Sequence, residues 1–358
     1  MILDCSKYVG PCRCGREHTL ETKKVVVEYN ALDKFDQYMD EVGLSGKRAV
    51  IYDTNTYNLP TLRHVRADQE IVLNAEGLHS EKGMIEDMMR QLDHPDVIVA
   101  VGSGTIMDFG RYPAYHLGIP FVAVPTLASS DGFTANICSI IIDGQKKSIP
   151  MQAAALVVCD LNVVSGAPLW LTVSGISDIL AKYISLADWK IARLVAGEYY
   201  CERVAALAQE ALDMMISCAD TLRRGGAPDF EAMTMAQMLS GLTMQLLGNS
   251  RAASGAEHLI AHLIEMKPPR FENAHGIHGE CVGVGTVLCA AEYRRMARKT
   301  PKARPFEPLS GGWIREKFGY LAECIIEENK NDVLASFEPQ NIVDNWQAIR
   351  DIVSAIPP

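Results

Sequence analysis

Between residue 24 and about residue 160 the chain alternates short β-branched runs with stretches of helix length. The runs are KVVVE (24–28), RAVIYD (48–53), EIVL (70–73), VIVAVG (97–102), FVAVP (121–125) and ALVVCD (155–160). They are apolar almost throughout, which predicts strands of a parallel sheet covered on both faces. In SIIIDGQKKSI, Asp143-Gly144 stands between an apolar and a polar run and predicts a two-residue hairpin. Beyond 160 the strand signal stops. From about 166 the period is helical, and DILAKYISLADWKIARLVAGEYYCERVAALAQEALDMM and TMAQMLSGLTMQLLGNS carry few breakers. Their Met-rich apolar positions read as helix-bundle core. The pattern predicts an α/β domain over 1–165 and an all-α domain over 166–358, with KTPKARPFEPLSGG (299–312) as a surface connection between helices.

Composition narrows the possible partners. A net charge of −10 on 358 residues argues against a general attraction to nucleic acid or to an anionic membrane, since both need a basic field. Any phosphate must therefore be caught by a local site. The start MILDCSKYVG has no apolar core of a signal peptide, and no segment offers 18 uninterrupted apolar residues, so a cytoplasmic chain without a membrane segment is expected. Of the ten cysteines, seven lie singly in apolar stretches and read as small buried hydrophobes. The other three, Cys5, Cys12 and Cys14, stand with His18 in CSKYVGPCRCGREH. That density suits a small zinc site. However, C-x-C with a following histidine is not a standard tetrahedral pattern, and Pro11 and Gly15 suit a turn, so the head reads as a loop or hairpin with free thiols.

Two stretches carry candidate chemistry. The run VIVAV leads straight into GSGTIMD (102–108), with a helix expected through FGRYPAY. Gly102 and Gly104 permit a tight turn and close backbone approach, and a helix N-terminus offers N–H groups to a pyrophosphate; a plain turn remains the alternative, because Met107 replaces the third glycine of the dinucleotide fingerprint. Asp53 ends one strand run, where a carboxylate can accept from an adenosine ribose, and PTLASSDG (125–132) follows another. Thr126, Ser129 and Ser130 bring hydroxyls with little bulk. Asp131 either faces nicotinamide or substrate, or caps a turn.

The second stretch is SGAEHLIAHLIEMKPPRFENAHGIHGE, which holds four of the nine histidines: His258, His262, His275 and His278. His258 and His262 share a helix face at i, i+4, and glycines flank the pair in AHGIHGE. Two imidazoles and one carboxylate with an open position form a standard site for polarising a substrate oxygen, and Asp178 in GISDILAKY is the best-placed carboxylate. Which histidines ligate is left open by spacing, since an i, i+4 pair can serve jointly.

Taken in order, GSGTIMD, PTLASSDG, GISDILAKYISLADW, SGAEHLIAH and HGIHGE resemble the iron-type, or group III, alcohol dehydrogenases, nearest to their glycerol-1-phosphate dehydrogenase branch. The matching segments span about 97 to 285. This resemblance implies the dehydroquinate synthase-like fold: a Rossmann-like dinucleotide-binding domain, a helical domain, and an active site in the cleft between them. It also implies metal ligation by Asp178, His258 and His278, with His262 turned to the substrate and Asp131 shared between nicotinamide and substrate; Asp131, Asp178 and His262 then form the catalytic set. Cofactor contacts are implied at Asp53, Gly102, Ser103, Gly104, Thr105, Asp108, Thr126, Ser129 and Asp131. The implied reaction interconverts sn-glycerol 1-phosphate and dihydroxyacetone phosphate with NAD or NADP and one divalent metal, zinc, nickel or iron, in a homodimer or larger homo-oligomer. Two departures stand out: Arg111 replaces a common lysine, and Ala135 a serine frequent in archaeal members. Asp53 would favour NAD, because a carboxylate repels a 2′-phosphate. For the substrate phosphate, Lys182, Lys267 and Arg270 lie near the motifs, though each is by default a solvated charge.

Three rival readings remain. Glycerol dehydrogenase shares fold and metal but takes an uncharged substrate; the Tyr183 and Asp188-Trp189 context of AKYISLADW leans toward the phosphate-using branch. A dehydroquinate-synthase-like lyase shares the plan and is expected to carry a glutamate ligand. A degenerate ligand-binding or structural protein is disfavoured by the retention of Asp178, His258, His278 and His262 together.

Overall fold

The structure is a computed structural model that describes residues 1–265, 276–298 and 339–357. Its centre is a seven-stranded sheet of β1 (Ile2–Asp4), β4 (Lys24–Glu28), β5 (Arg48–Asp53), β6 (Gln69–Leu73), β7 (Val97–Gly102), β8 (Phe121–Pro125) and β11 (Leu156–Asp160), in the order β1-β4-β11-β8-β7-β5-β6. Every pairing is parallel except that of β1 with β4. Between Gly10–Pro11 (β2) and Glu17–His18 (β3) the head of the chain forms a small antiparallel hairpin, as expected. Ile137–Ile142 (β9) and Gln145–Pro150 (β10) form the second predicted hairpin. Asp143 (φ 52°) and Gly144 (φ 75°) close it with two left-handed residues, the backbone that Asp-Gly tolerates in a type I′ turn.

Continuous apolar runs make two-faced strands. All residues of β5, β7, β8 and β11 are buried, and alternate side chains divide between two cores. One face presents Val26, Val50, Tyr52, Val99, Val122 and Val158 to Phe35, Tyr38 and Met39 of α1 (Phe35–Glu41). The other presents Val25, Ile51, Ile98, Ala100, Ala123 and Val157 to Ile106 and Phe109 of α4 (Gly104–Leu117), and continues into the helical half through Trp189, Leu207 and Met238. Each Val, Ile, Leu, Phe or Met among them contributes roughly 1.5–3 kcal/mol on burial. β1 and β6 are more exposed along their length, because they are the two edge strands of the sheet.

The remaining helices of the first half are short: α2 (Thr54–Tyr57), α3 (Lys82–Met89) and α5 (Leu161–Val164). The helical part comprises α6 (Leu169–Leu180), α7 (Lys182–Ala196), α8 (Glu202–Arg223), α9 (Phe230–Leu247), α10 (Ala256–Glu265), α11 (His278–Ala297), α12 (Pro339–Asp344) and α13 (Trp346–Ser354). Met233, Met235, Met238 and Met244 of α9 are buried, in keeping with a core role. Asp229 caps α9 by accepting from the Ala232 N–H at 3.0 Å, and Gly248 ends it in a left-handed turn. The run 169–196 is long and apolar enough to cross a membrane, but it is mostly buried inside the protein and carries the fully buried Asp178 and Lys182, so it reads as a core helix pair. The segment 299–312, His275, Lys267 and Arg270 lie outside the described residues.

Candidate active site

Asp53, Gly102 and Pro125 end three adjacent strands, so the loops that follow share one edge of the sheet. Gly102 pairs with Pro125 in register, and the Thr126 N–H donates to the Gly102 carbonyl at 3.2 Å. A Cβ on Gly102 would meet Ile106 at 2.9 Å and Asp53 Oδ2 at 3.3 Å, so only glycine lets α4 start this close to β5. The Ser103 side chain leaves the N-terminus of α4 uncapped, and a Cβ on Gly104 would meet nothing within 4 Å. The free N–H groups of Gly104 and Thr105 therefore border open space, a cradle fitted to a pyrophosphate. Ser103, Thr105 and Ser129 are half-buried along this edge, whereas Thr126 is buried.

Two expected cofactor residues are engaged with the protein itself. Asp53 accepts from the Thr56 N–H at 2.8 Å and from its hydroxyl at 3.1 Å, capping α2. Asp108 accepts from the Ser80 hydroxyl at 3.0 Å and the Ser139 N–H at 3.2 Å, and burial raises its pKa. Arg111 donates to the carbonyls of Ile137 and Gly132, tying the loop after β8 to α4, and Ala135 is buried inside that loop.

Asp178, His258 and His278 converge where this loop meets α6, α10 and α11. Their ligand atoms all lie within 4.8 Å of one another. Asp178 Oδ2 accepts from the Asp131 N–H at 3.0 Å, while Oδ1, fully buried, has no hydrogen-bond partner and stands 3.5 Å from His258 Nε2 and 4.0 Å from His278 Nε2. An orphaned buried carboxylate oxygen facing two imidazoles is costly unless a cation completes it. Both rings are oriented from behind: His258 Nδ1 donates to Glu257 at 2.7 Å, and His278 Nδ1 to Glu265 at 2.6 Å. In the neutral form of each ring Nε2 thus carries the lone pair, the arrangement that second-sphere carboxylates impose at metal sites. Lys146 of β10 holds Glu265 in turn, at 2.7 Å. The residues present fit a divalent metal.

His262 lies on the same face of α10 as His258, but its ring centroid is 6.3 Å from those of both His258 and His278, outside the converging trio. Asp131 is mostly buried, with Oδ2 accepting from Lys182 Nζ and from the Ser240 hydroxyl, both at 2.8 Å. Lys182 corrects a default: it is 0% exposed, paired with Asp131 and donating to the Asp178 carbonyl at 2.9 Å, and so is no solvated charge. Burial works against its charge, but Asp131 and Asp178 outweigh that and raise its pKa. Burial likewise works against the Asp178 carboxylate, yet the charges of Lys182 and the two imidazoles hold its pKa below the ordinary range.

A family model for iron-containing alcohol dehydrogenases matches residues 26–168. Glycerol-1-phosphate dehydrogenase (NAD(P)+) of Bacillus licheniformis is 34% identical over 307 residues, which cover 83% of this chain and 77% of that protein. The chain belongs to the iron-containing alcohol dehydrogenase family. Within the family its relatives include an archaeal glycerol-1-phosphate dehydrogenase (NAD(P)+), from Methanothrix thermoacetophila, 31% identical over 74% of this chain and 75% of the relative. The family fold is also seen in glycerol dehydrogenase from Schizosaccharomyces pombe, with a TM-score of 0.60 at 20% identity over 92% of this chain and 89% of that one. A probable glycerol dehydrogenase from Sinorhizobium meliloti gives 0.63 at 21% over 93% and 98%.

Two residues around the trio were not singled out from sequence, and a third was considered for another role. Glu257 stands beside a candidate ligand in a quoted motif, so an acid adjacent to a histidine was an available signal. Glu265 gave none, because it meets His278 thirteen residues on. Lys182, considered for the substrate phosphate, stands i, i+4 from Asp178 and pairs instead with Asp131.

Gly279, directly after His278, is required by close approach: a Cβ there would lie 2.0 Å from the Ser174 carbonyl oxygen. Gly279→Ala is expected to push α11 off α6, which carries Asp178. We predict a cost of about 1–3 kcal/mol for overpacking and a loss of about 10–100-fold in metal affinity, read by denaturation and metal titration.

Proposed function

We propose that this chain is a metal-dependent glycerol-1-phosphate dehydrogenase, interconverting sn-glycerol 1-phosphate and dihydroxyacetone phosphate with NAD(H) or NADP(H). The observation that carries this reading is the buried, unpartnered Asp178 Oδ1 facing His258 and His278, in a chain whose relatives bear that enzyme's name. Asp178, His258 and His278 would hold the metal, which when bound supplies the Lewis acid that polarises the substrate's C2 oxygen. The edge at Gly102, Ser103, Gly104, Thr105, Thr126 and Ser129 would hold the dinucleotide, which supplies the hydride acceptor. Asp53 beside Gly102 favours NAD.

The chain's own residues do the rest. Glu257 and Glu265 fix the tautomer and aim of the two imidazoles. Lys182 neutralises Asp131 and Asp178 together and so holds the loop after β8 against α6. His262, half-buried beside the trio, is placed to exchange a proton with a substrate hydroxyl. Division into domains near residue 165, a cytoplasmic location and a homodimer or larger homo-oligomer belong to the same reading.

The substrate test compares NADH oxidation with dihydroxyacetone phosphate and with dihydroxyacetone. Strong preference for the phosphate supports the proposal; preference for the uncharged ketone assigns glycerol dehydrogenase, and stoichiometric NADH consumption with either excludes the lyase.

Metal uptake should be coupled to protons. Burial disfavours the His258 imidazolium, but Asp178 and Glu257 outweigh it and raise its pKa to about 9 in the metal-free protein. Being raised above the ordinary value of about 6.5, this charge contributes stability that is full below that value and lost as pH rises through about 9. A metal needs the neutral ring, so its apparent affinity is expected to climb about tenfold per pH unit between pH 7 and 9, with about one proton released on binding. Calorimetry in buffers of different ionisation enthalpy reads that proton.

A further inference from the structure

The head hairpin closes on a residue that no spacing connects to it. Cys201, immediately before α8, brings its sulfur to 3.8 Å from Cys12 Sγ and 3.3 Å from His18 Nε2, while Cys14 Sγ stands 3.4 Å from the same nitrogen. All four ligand atoms lie within 4.8 Å of one another. Cys5, buried in the sheet core, takes no part. We propose that Cys12, Cys14, His18 and Cys201 form a second metal centre in this chain, a closed tetrahedral zinc site with three thiolates and one imidazole.

Three observations support it independently. The first is the spacing itself. Zinc–sulfur bonds of about 2.3 Å and a zinc–nitrogen bond of about 2.0 Å in a tetrahedron place sulfurs about 3.8 Å apart and sulfur about 3.5 Å from nitrogen. The measured 3.8, 3.4 and 3.3 Å match these edges. A disulfide between Cys12 and Cys201 would need about 2.05 Å. The second is the tautomer: His18 Nδ1 lies 2.7 Å from the Leu246 carbonyl, which can only accept, so Nε2 carries its lone pair toward the three sulfurs. The third is support for a thiolate, since the Tyr199 hydroxyl donates to Cys14 Sγ at 3.0 Å, with the Arg16 guanidinium 3.5 Å over the Tyr199 ring. Without a cation, four converging ligand atoms gain only the weak hydrogen bonds of thiols.

Four protein ligands leave no open position, so the site is structural and separate from the Asp178 centre. Soft thiolates with one imidazole select zinc over a hard cation. The site would pin the β2–β3 hairpin to the start of α8, with His18 also fastened to the end of α9, and so staple the first residues of the chain to the helical part.

Cobalt substitution of the full-length wild-type protein tests this directly. Cobalt at the proposed centre gives thiolate-to-metal charge-transfer absorption in the near ultraviolet; cobalt held by Asp178, His258 and His278 has no thiolate and gives none. The expected result is that band, with about two metal ions per chain, and Cys201→Ser losing the band and one of the two ions. In wild-type protein, the half-buried Cys12 and Cys14 should also be shielded from a thiol reagent until a chelator is added. Metal bound with no thiolate band, or these thiols reacting equally with and without saturating zinc, would overturn the proposal whether or not the variant folds.

Discussion

Asp178→Asn is expected to lower kcat/KM for dihydroxyacetone phosphate by about 10³-fold or more, since the metal's charge stabilisation is worth several kcal/mol. The asparagine oxygen can still accept from the Asp131 N–H. Its amide nitrogen then faces His258 and His278 where Oδ1 stood, and an amide NH₂ cannot ligate. Lys182 loses the charge of the Asp178 carboxylate at 4.0 Å but keeps its closer partners, the Asp178 main-chain carbonyl and the Asp131 carboxylate. The fold should therefore survive while metal retention is lost. Kinetics, circular dichroism and metal analysis on one preparation separate the two; a variant retaining both metal and rate would contradict the assignment of Asp178.

Lys182→Met should produce the larger loss of stability. The ammonium is fully buried and pairs with Asp131 at 2.8 Å, and its removal leaves Asp131 Oδ2 with the Ser240 hydroxyl and takes away the cation 4.0 Å from Asp178 Oδ1. Breaking a buried pair from one side costs about 3–5 kcal/mol. Adding Asp131→Asn to Lys182→Met should recover a substantial part of that loss, because the second change removes the stranded charge. Chemical denaturation of the two single variants and the double variant measures the coupling. A cost below about 1 kcal/mol for Lys182→Met would mean that the charge is solvated after all.

The strands were legible because each is buried on both faces, so VIVAVG and FVAVP are apolar without alternation. The short edge strand β1 and the edge position of β6 were not, since edge placement is set by pairing between distant runs. Asp143-Gly144 announced its hairpin through backbone chemistry confined to two residues. The site was legible where its residues cluster, at His258, His262 and His278, and much less so where it reaches across the fold. Lys182 reads as a surface lysine, and its burial is decided by Asp131, in the loop after β8. Likewise, Cys12, Cys14 and His18 look incomplete as a ligand set until folding brings Cys201 to them. Local spacing shows which side chains share a face, and tertiary packing decides what that face meets.

The central claim is that a metal at Asp178, His258 and His278 carries reduction of dihydroxyacetone phosphate. NADH oxidation with this substrate, followed before and after chelation and again after adding back zinc, nickel or iron, tests it most directly. The account predicts a rate that disappears with the metal and returns with it. An unchanged rate in protein shown to be metal-free would contradict it.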